Sequence, residues 1–158
     1  MNRILHTGLL LLWMVFPFWS NTSDVDLSAK WPAYWITCPG ASASGYGVYH
    51  FRKEFELRNI PEKFVLNISA DNRYRFFVNG VMVSKGPSRG DLLHWYYEIV
   101  DIASHLKQGK NVLAVAVWNM GEYRPLAQLS KRTGLIVQSS AVEDSSVNTN
   151  QSWKAVRN

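Results

Sequence analysis

The side chains best suited to ligand chemistry are concentrated between residues 89 and 98. Six residues there are candidate ligand-binding groups: Arg89, Asp91, His94, Trp95, Tyr96 and Glu98. Aromatic rings can stack on the C–H face of a sugar ring, and planar polar groups can bind paired hydroxyls. The segment therefore predicts a carbohydrate contact. The alternative interpretation of Arg89 and Asp91 is a structural ion pair that holds the loop.

A second polar group surrounds a predicted turn. Asp71, Asn72 and Arg73 follow one another between two apolar stretches. They are further ligand-binding candidates. The other interpretation is a turn that leads into a strand with one solvated face.

Catalytic and metal chemistry find little support in the residue pattern. Asp91 and Glu98 are the nearest pair of carboxylates beside a predicted strand, and glycosidases use two carboxylates at a defined separation. The sequence does not fix that separation, and it lacks the Gly-x-Ser-x-Gly, His-Glu-x-x-His and phosphate-loop patterns. We assign no catalytic residue, metal ligand or cofactor. A structural calcium held by loop oxygens stays open as an alternative.

The elements that must position these residues are strands. Apolar and polar residues alternate from Val48 to Leu57, which is typical of a strand with one solvated face. Asn79-Gly80 predicts a tight hairpin, because both residues tolerate positive φ. Further strands are predicted at 64–70, 73–78, 81–84, 94–100, 112–118 and 133–139. Such short, regularly spaced strands predict an all-β, antiparallel β-sandwich.

Composition excludes several other classes of protein. The chain has 158 residues, of which 47% are hydrophobic and 13% aromatic, so one folded domain is expected and disorder is not. The formal net charge is +5, but the basic residues are scattered, which argues against a nucleic-acid partner. Cys38 is the only cysteine, so an internal disulfide is impossible.

The N-terminus has the pattern of a targeting segment. Arg3 precedes an apolar run over residues 9–19, and small polar residues follow at 20–23. This predicts a signal peptide over residues 1–23 and a periplasmic or secreted protein with no other membrane segment. An uncleaved anchor is the alternative, although the run is shorter than the roughly 20 residues of a spanning helix.

The rest of the chain divides into three predicted parts. Residues 24–47 form an irregular N-terminal segment and loop, residues 48–140 form the sandwich, and residues 141–158 form a tail that leads toward a missing following domain.

Several ordered motifs resemble one known family. They are Ile68–Gly80, Gly86–Asp91, His94–Glu98, Gly109–Ala114 with Val117–Asn119, Ala127-Gln128 and Thr133-Gly134. Together they are similar to the N-terminal domain of bacterial α-L-rhamnosidases. The resemblance implies a jelly-roll sandwich of the galactose-binding type. It also implies that catalysis belongs to a helical (α/α)6 barrel outside this chain, so no catalytic residue is carried over.

The resemblance leads to one main hypothesis of function and two alternatives. The main hypothesis is a non-catalytic module that braces the catalytic domain of a larger rhamnosidase and contacts rhamnose-containing glycans. The first alternative is a freestanding carbohydrate-binding or adhesion protein. The second is a purely structural domain without a ligand, whose exposed aromatic surface forms an interface.

Overall fold

The computed structural model describes residues 30–142 and 144–158. The predicted signal peptide over residues 1–23 lies outside this part of the chain. Within it, no helix is long and apolar enough to cross a membrane.

The described residues form eight strands and three short 3₁₀ turns. The strands are β1 (Gly47–Leu57), β2 (Val65–Asp71), β3 (Arg73–Val78), β4 (Val81–Gly86), β5 (Glu98–Asp101), β6 (Gly109–Asn119), β7 (Gly134–Ser139) and β8 (Lys154–Arg157). The 3₁₀ turns are Ala103–His105, Gly121–Tyr123 and Ser145–Val147.

The strands form two antiparallel sheets. The five-stranded sheet has the order β4-β3-β6-β1-β8, and the three-stranded sheet has the order β5-β2-β7. Strands β1 and β6 pair along their whole length, from Gly47 opposite Asn119 to Leu57 opposite Gly109. The predicted antiparallel β-sandwich is therefore confirmed.

The core lies between the sheets and follows the period of two in the sequence. The five-stranded sheet contributes Tyr49, Phe51, Phe55, Tyr74, Phe76, Val78, Leu113, Val115 and Val117. The three-stranded sheet contributes Leu66, Ile68, Ala70, Leu135 and Val137. Each fully buried large apolar side chain contributes roughly 1.5–3 kcal/mol relative to an exposed one, so alternation on these strands is the main source of stability.

The outer face of the three-stranded sheet is covered by irregular backbone. The N-terminal segment lies across β7, where Ala33 donates its N–H to Gln138 Oε1 at 3.0 Å and Ile36 forms a bridge with Leu135. The loop before β5 lies beside it, with Ser69 Oγ donating to the Tyr96 carbonyl at 2.7 Å. As a result, the outward polar side chains of β2 and β7 are buried as well.

Two edge-to-face aromatic pairs join these covering segments. Trp31 contacts Tyr97 with ring centroids 5.1 Å apart, and Trp35 contacts Trp95 at 6.4 Å. Such pairs contribute about 0.5–1.5 kcal/mol each beyond the area they bury. They fix the N-terminal segment against the loop over residues 92–97.

Two local predictions differ from the structure. Strand β5 begins at Glu98, whereas the aromatic run from His94 predicted an earlier start. Residues 94–97 instead belong to a loop in which Trp95 and Tyr97 contact tryptophans of the N-terminal segment. Asp71-Asn72 is not a hairpin turn, because β2 and β3 belong to different sheets and Asn72 alone joins them. Asn79-Gly80 does form the predicted hairpin, with φ of 49° and 89°.

The segment 141–158 differs from the predicted tail. Strand β8 pairs with β1, from Tyr49 opposite Arg157 to Arg52 opposite Lys154. The side chain of Trp153 is buried, and its Nε1 donates to the carbonyls of Val147 and Asn148 at 3.2 and 3.3 Å. The polar composition around residue 145 gave no indication that β8 and the buried Trp153 would follow.

Candidate functional site

Asp71 organises the site from the end of β2. Its side chain is only 2% exposed. The carboxylate accepts hydrogen bonds from Ser130 Oγ at 2.8 Å and from the N–H groups of Lys131 and Arg132 at 2.6 and 2.7 Å. Asn72 Nδ2 also donates to it, at 2.5 Å. Asp71 therefore fixes the backbone before β7, which is the structural interpretation of this polar group.

Asn72 and Asn119 hold the neighbouring loop in the same way. Asn72 is fully buried, and its Oδ1 accepts from the N–H of Met120 at 2.8 Å. Asn119 Nδ2 donates to Thr133 Oγ1 at 2.9 Å, while its Oδ1 accepts from the N–H of Gly121 at the same distance. These amides replace the backbone pairing that ends where the strands end.

Glu98 and Arg73 hold the loop that follows β4. Glu98 Oε1 accepts from the N–H and the hydroxyl of Ser88 at 2.7 and 2.8 Å. The guanidinium of Arg73 donates to the Pro87 carbonyl. Both side chains are candidates for ligand binding, and both make hydrogen bonds within the protein.

Asp91 pairs with His94. His94 Nδ1 lies 2.9 Å from Asp91 Oδ2, and Asp91 Oδ1 accepts from the N–H groups of Leu93 and His94. The side-chain hydrogen bond with His94, helped by the two N–H groups, lowers the pKa of Asp91. A general acid needs a raised pKa, so this environment does not suit one. Among the described residues, the predicted ion pair of Asp91 with Arg89 is not formed.

A cleft of about 550 Å³ opens beside Asp71, on the outer side of the three-stranded sheet. It is lined by the N-terminal segment, the loop before β5 and the start of β7: Trp35, Ile36, Thr37, Asp71, Leu92, Trp95, Lys131, Arg132, Thr133 and Gly134. Its volume lies in the ordinary range for small-molecule sites.

Two tryptophans give the cleft its aromatic surface. Trp35 is about half exposed, and its ring stands at 84° to that of Trp95. Trp95 Nε1 is buried and has no hydrogen-bond partner among the described residues. Trp95 also lines a narrow crevice with Asn72, Arg89 and Tyr96.

The charged side chains of the cleft differ in whether they have partners within the protein. Asp71 is the one acid among its lining residues, and protein donors occupy both of its oxygens. The side chains of Lys131 and Arg132 are exposed, and neither takes part in an ion pair within the described residues. The available charge in the cleft is therefore positive.

The structure brings together only part of the predicted site. Trp95 and Asp71 line the cleft, and Asn72, Arg89 and Tyr96 line the adjoining crevice. Asp91, His94, Glu98 and Arg73 line neither. The sequence analysis missed Trp35, Lys131 and Arg132 as site residues. The adjacent cations at 131–132, next to a predicted strand, were the signal available.

No metal centre is evident in the described part of the chain. Residues 30–142 and 144–158 contain no group of three or more His, Cys, Asp or Glu side chains that could hold an ion. Cys38 is buried and forms no disulfide.

Comparison with known proteins places this geometry in a family. Residues 19–123 match the family described as the β-galactosidase second all-β domain. The chain is also 24% identical to an α-L-rhamnosidase of Streptomyces avermitilis, over 88% of this chain and 15% of that enzyme.

Among the solved structures with similar folds are a rhamnosidase and a lectin. The crystal structure of a GH78 family rhamnosidase of Bacillus sp. GL1 is 31% identical with a TM-score of 0.72, and the match covers 82% of this chain and 14% of that one. A lectin from Pleurotus ostreatus in complex with GalNAc is 18% identical with a TM-score of 0.53, covering 85% and 39%, which is a likeness of fold alone.

The chain spans about one seventh of the length of the rhamnosidases that it matches. The predicted resemblance to their N-terminal β-domain is confirmed by these matches. On the sequence match and the fold together, this chain belongs to the family of the β-galactosidase second all-β domain.

Proposed function

We propose that this chain is a non-catalytic β-sandwich module of an exported, rhamnosidase-type glycoside hydrolase, and that its cleft binds part of a rhamnose-containing glycan. The cleft between Trp35 and Trp95 carries the proposal. Sugars are held by aromatic faces together with a few fixed polar groups. Here Asp71 fixes the backbone beside two tryptophans that line one open cleft.

Two further observations support the proposal. The relatives named as rhamnosidases are about seven times longer than this chain, which leaves the chemistry to other parts of such enzymes. The lectin of similar fold was solved with GalNAc bound, so the sandwich is compatible with a sugar site. Export rests on Arg3 and the apolar run over residues 9–19.

The test is a titration of the purified chain with L-rhamnose and rhamnosyl oligosaccharides, in which binding is measured by ligand-observed NMR. We expect saturable binding that falls at least tenfold in Trp95→Ala and in Trp35→Ala. Trp118→Ala is the matched control, because Trp118 lies on the other sheet beneath the guanidinium of Arg75, at 5.9 Å. An equal loss in the control, or no saturable binding, contradicts the glycan site.

An assay with an aryl rhamnoside runs beside the titration. We expect no release of rhamnose by the chain alone. Release at an enzymatic rate, retained after repurification, contradicts a non-catalytic module.

A second candidate function is bracing of the catalytic domain, and exposed apolar loops favour it. Leu93 is 90% exposed and Leu126 is fully exposed, and Leu92 and Tyr96 are about half exposed. Isolated domains rarely expose such clusters unless a partner covers them. The test is to add this chain to the Bacillus sp. GL1 rhamnosidase from which the matching region has been removed. Restored thermal stability supports bracing, and no effect contradicts it.

A further inference from the structure

We infer that the cleft selects a sugar that carries a carboxylate, that is, a uronic acid unit of a glycan. The inference rests on the proposed glycan site and deepens it by naming the chemical class of the unit bound. It is carried by Lys131 and Arg132, which bring two uncompensated positive charges to a cleft lined by tryptophans.

The two cations are held in place through their backbone. The carboxylate of Asp71 accepts hydrogen bonds from the N–H of Lys131 at 2.6 Å and from the N–H of Arg132 at 2.7 Å, and these bonds fix the backbone at both residues. The carboxylate of Asp71 is directed to these N–H groups and to Ser130, and it forms no ion pair with either side chain. The ammonium and guanidinium groups therefore remain available for a ligand.

Three cations elsewhere in the described structure have acidic partners close by. Arg52 and Lys110 both pair with Glu54 at 2.6 Å, and His94 pairs with Asp91. At the cleft, the one acidic side chain among the lining residues is that of Asp71, and its oxygens already accept hydrogen bonds from Ser130, Lys131 and Arg132. A neutral sugar would leave the two positive charges unused, whereas a carboxylate would pair with them, and the planar guanidinium fits its two oxygens.

The remaining lining favours a sugar ring over a simple anion. Trp35, Trp95, Leu92 and Ile36 provide an apolar surface that an inorganic anion would not use. The aromatic faces suit the C–H face of a pyranose. A uronic acid combines a pyranose ring with a carboxylate in one unit, because its C6 carboxylate is attached to the ring at C5.

The experiment compares sugars that differ only at C6. The chain is titrated by ligand-observed NMR with D-glucuronate against D-glucose, and with D-galacturonate against D-galactose, in 50 mM and 300 mM salt. We expect at least one uronate to bind tenfold or more tightly than its neutral partner at low salt. We expect the preference to shrink at high salt, since exposed charges are screened.

Matched variants assign the effect to the cleft. Lys131→Gln with Arg132→Gln should remove the preference, so that the uronate binds no more tightly than its neutral partner. Lys154→Gln with Arg157→Gln removes two exposed cations of β8 and should change nothing. Equal affinity for both members of each pair, or a preference that survives in the cleft variant, overturns the inference.

The outcome also separates this inference from the proposed function. If neutral and acidic sugars bind equally and Trp95→Ala abolishes both, the glycan site stands and only the preference for a carboxylate fails. If no sugar binds, both fail. If inorganic sulfate competes as strongly as a uronate, the cleft is a simple anion site and the inference is overturned.

Discussion

At the scale of single residues, Asp71 links the fold to the site. It is buried, charged and hydrogen-bonded to three neighbouring residues before β7. Asp71→Asn keeps the shape but places an NH₂ group either against the N–H groups of Lys131 and Arg132 or against Asn72 Nδ2, so that a donor faces a donor in both orientations. We expect a loss of about 2–4 kcal/mol in the free energy of unfolding, because charge-assisted hydrogen bonds are lost and a donor is left unpaired.

Urea unfolding followed by tryptophan fluorescence measures this loss. Asp91→Asn is the matched control, since Asp91 lies in an exposed turn. A similar loss in both variants would contradict the structural role of Asp71.

Tyr74 makes the stability sensitive to alkali. Its side chain is buried, and burial raises its pKa to about 12, with Glu98 adding to the rise. The hydroxyl stays neutral in the fold, so its contribution is fully present below pH 10 and is lost as the pH rises through 12. Tyr74→Phe cannot ionise, and it loses only the 3.1 Å contact with Ser84 Oγ.

The measurement is the melting temperature of both proteins from pH 8 to pH 11.5. At pH 8 we expect Tyr74→Phe to be less stable by about 1 kcal/mol, the usual value of one hydrogen bond. The difference should shrink or reverse toward pH 11.5. Tyr123→Phe should follow the wild-type profile, because Tyr123 is exposed. A difference that does not change with pH would contradict the assignment.

At the scale of elements, β8 and Trp153 decide whether residues 141–158 belong to the sandwich. Trp153→Ala removes a large buried ring and two hydrogen bonds to backbone carbonyls. We expect a loss of about 3–5 kcal/mol, and about 1 kcal/mol for Trp153→Phe, which retains most of the apolar volume. Calorimetric melting of both variants checks this. A loss below about 1 kcal/mol in Trp153→Ala would restore the interpretation of this segment as a tail.

The strands themselves could be predicted because period-two alternation is a local signal. It identified β1, β2 and β3 within a residue or two, and Asn79-Gly80 fixed the hairpin that leads into β4. The start of β5 was missed because aromatic residues serve equally well in a strand and in a loop that covers a sheet. Local alternation also cannot assign strands to sheets, so the crossing between β2 and β3 resembled a turn.

The candidate site was only partly predictable for a related reason. Trp95 and Asp71 stood out by residue type, but the cleft forms where they meet Trp35 and Arg132. These four positions are far apart in sequence and meet only after the N-terminal segment has packed across β7. Asp91, Glu98 and Arg73 make hydrogen bonds with His94, Ser88 and Pro87. These contacts depend on the geometry of the loops, which residue type alone does not predict.

At the scale of the whole molecule, two loops expose large apolar side chains to solvent. Leu93 and Leu126 are almost completely exposed, so they contribute little to folding. Leu93→Ser with Leu126→Ser should therefore change the free energy of unfolding by less than about 0.5 kcal/mol. It should also reduce the binding of a hydrophobic dye and any self-association of the isolated chain, because the patch itself is made polar.

Sedimentation velocity at several concentrations and dye titration measure these effects. Ile60→Ser with Val81→Ser is the matched control, since both side chains are about half exposed and neither lines the cleft. If the control lowers self-association as much as the loop variant, the exposed loops are not a special surface. If the loop variant alone does so and sugar binding is retained, the exposed loops are an association surface separate from the cleft.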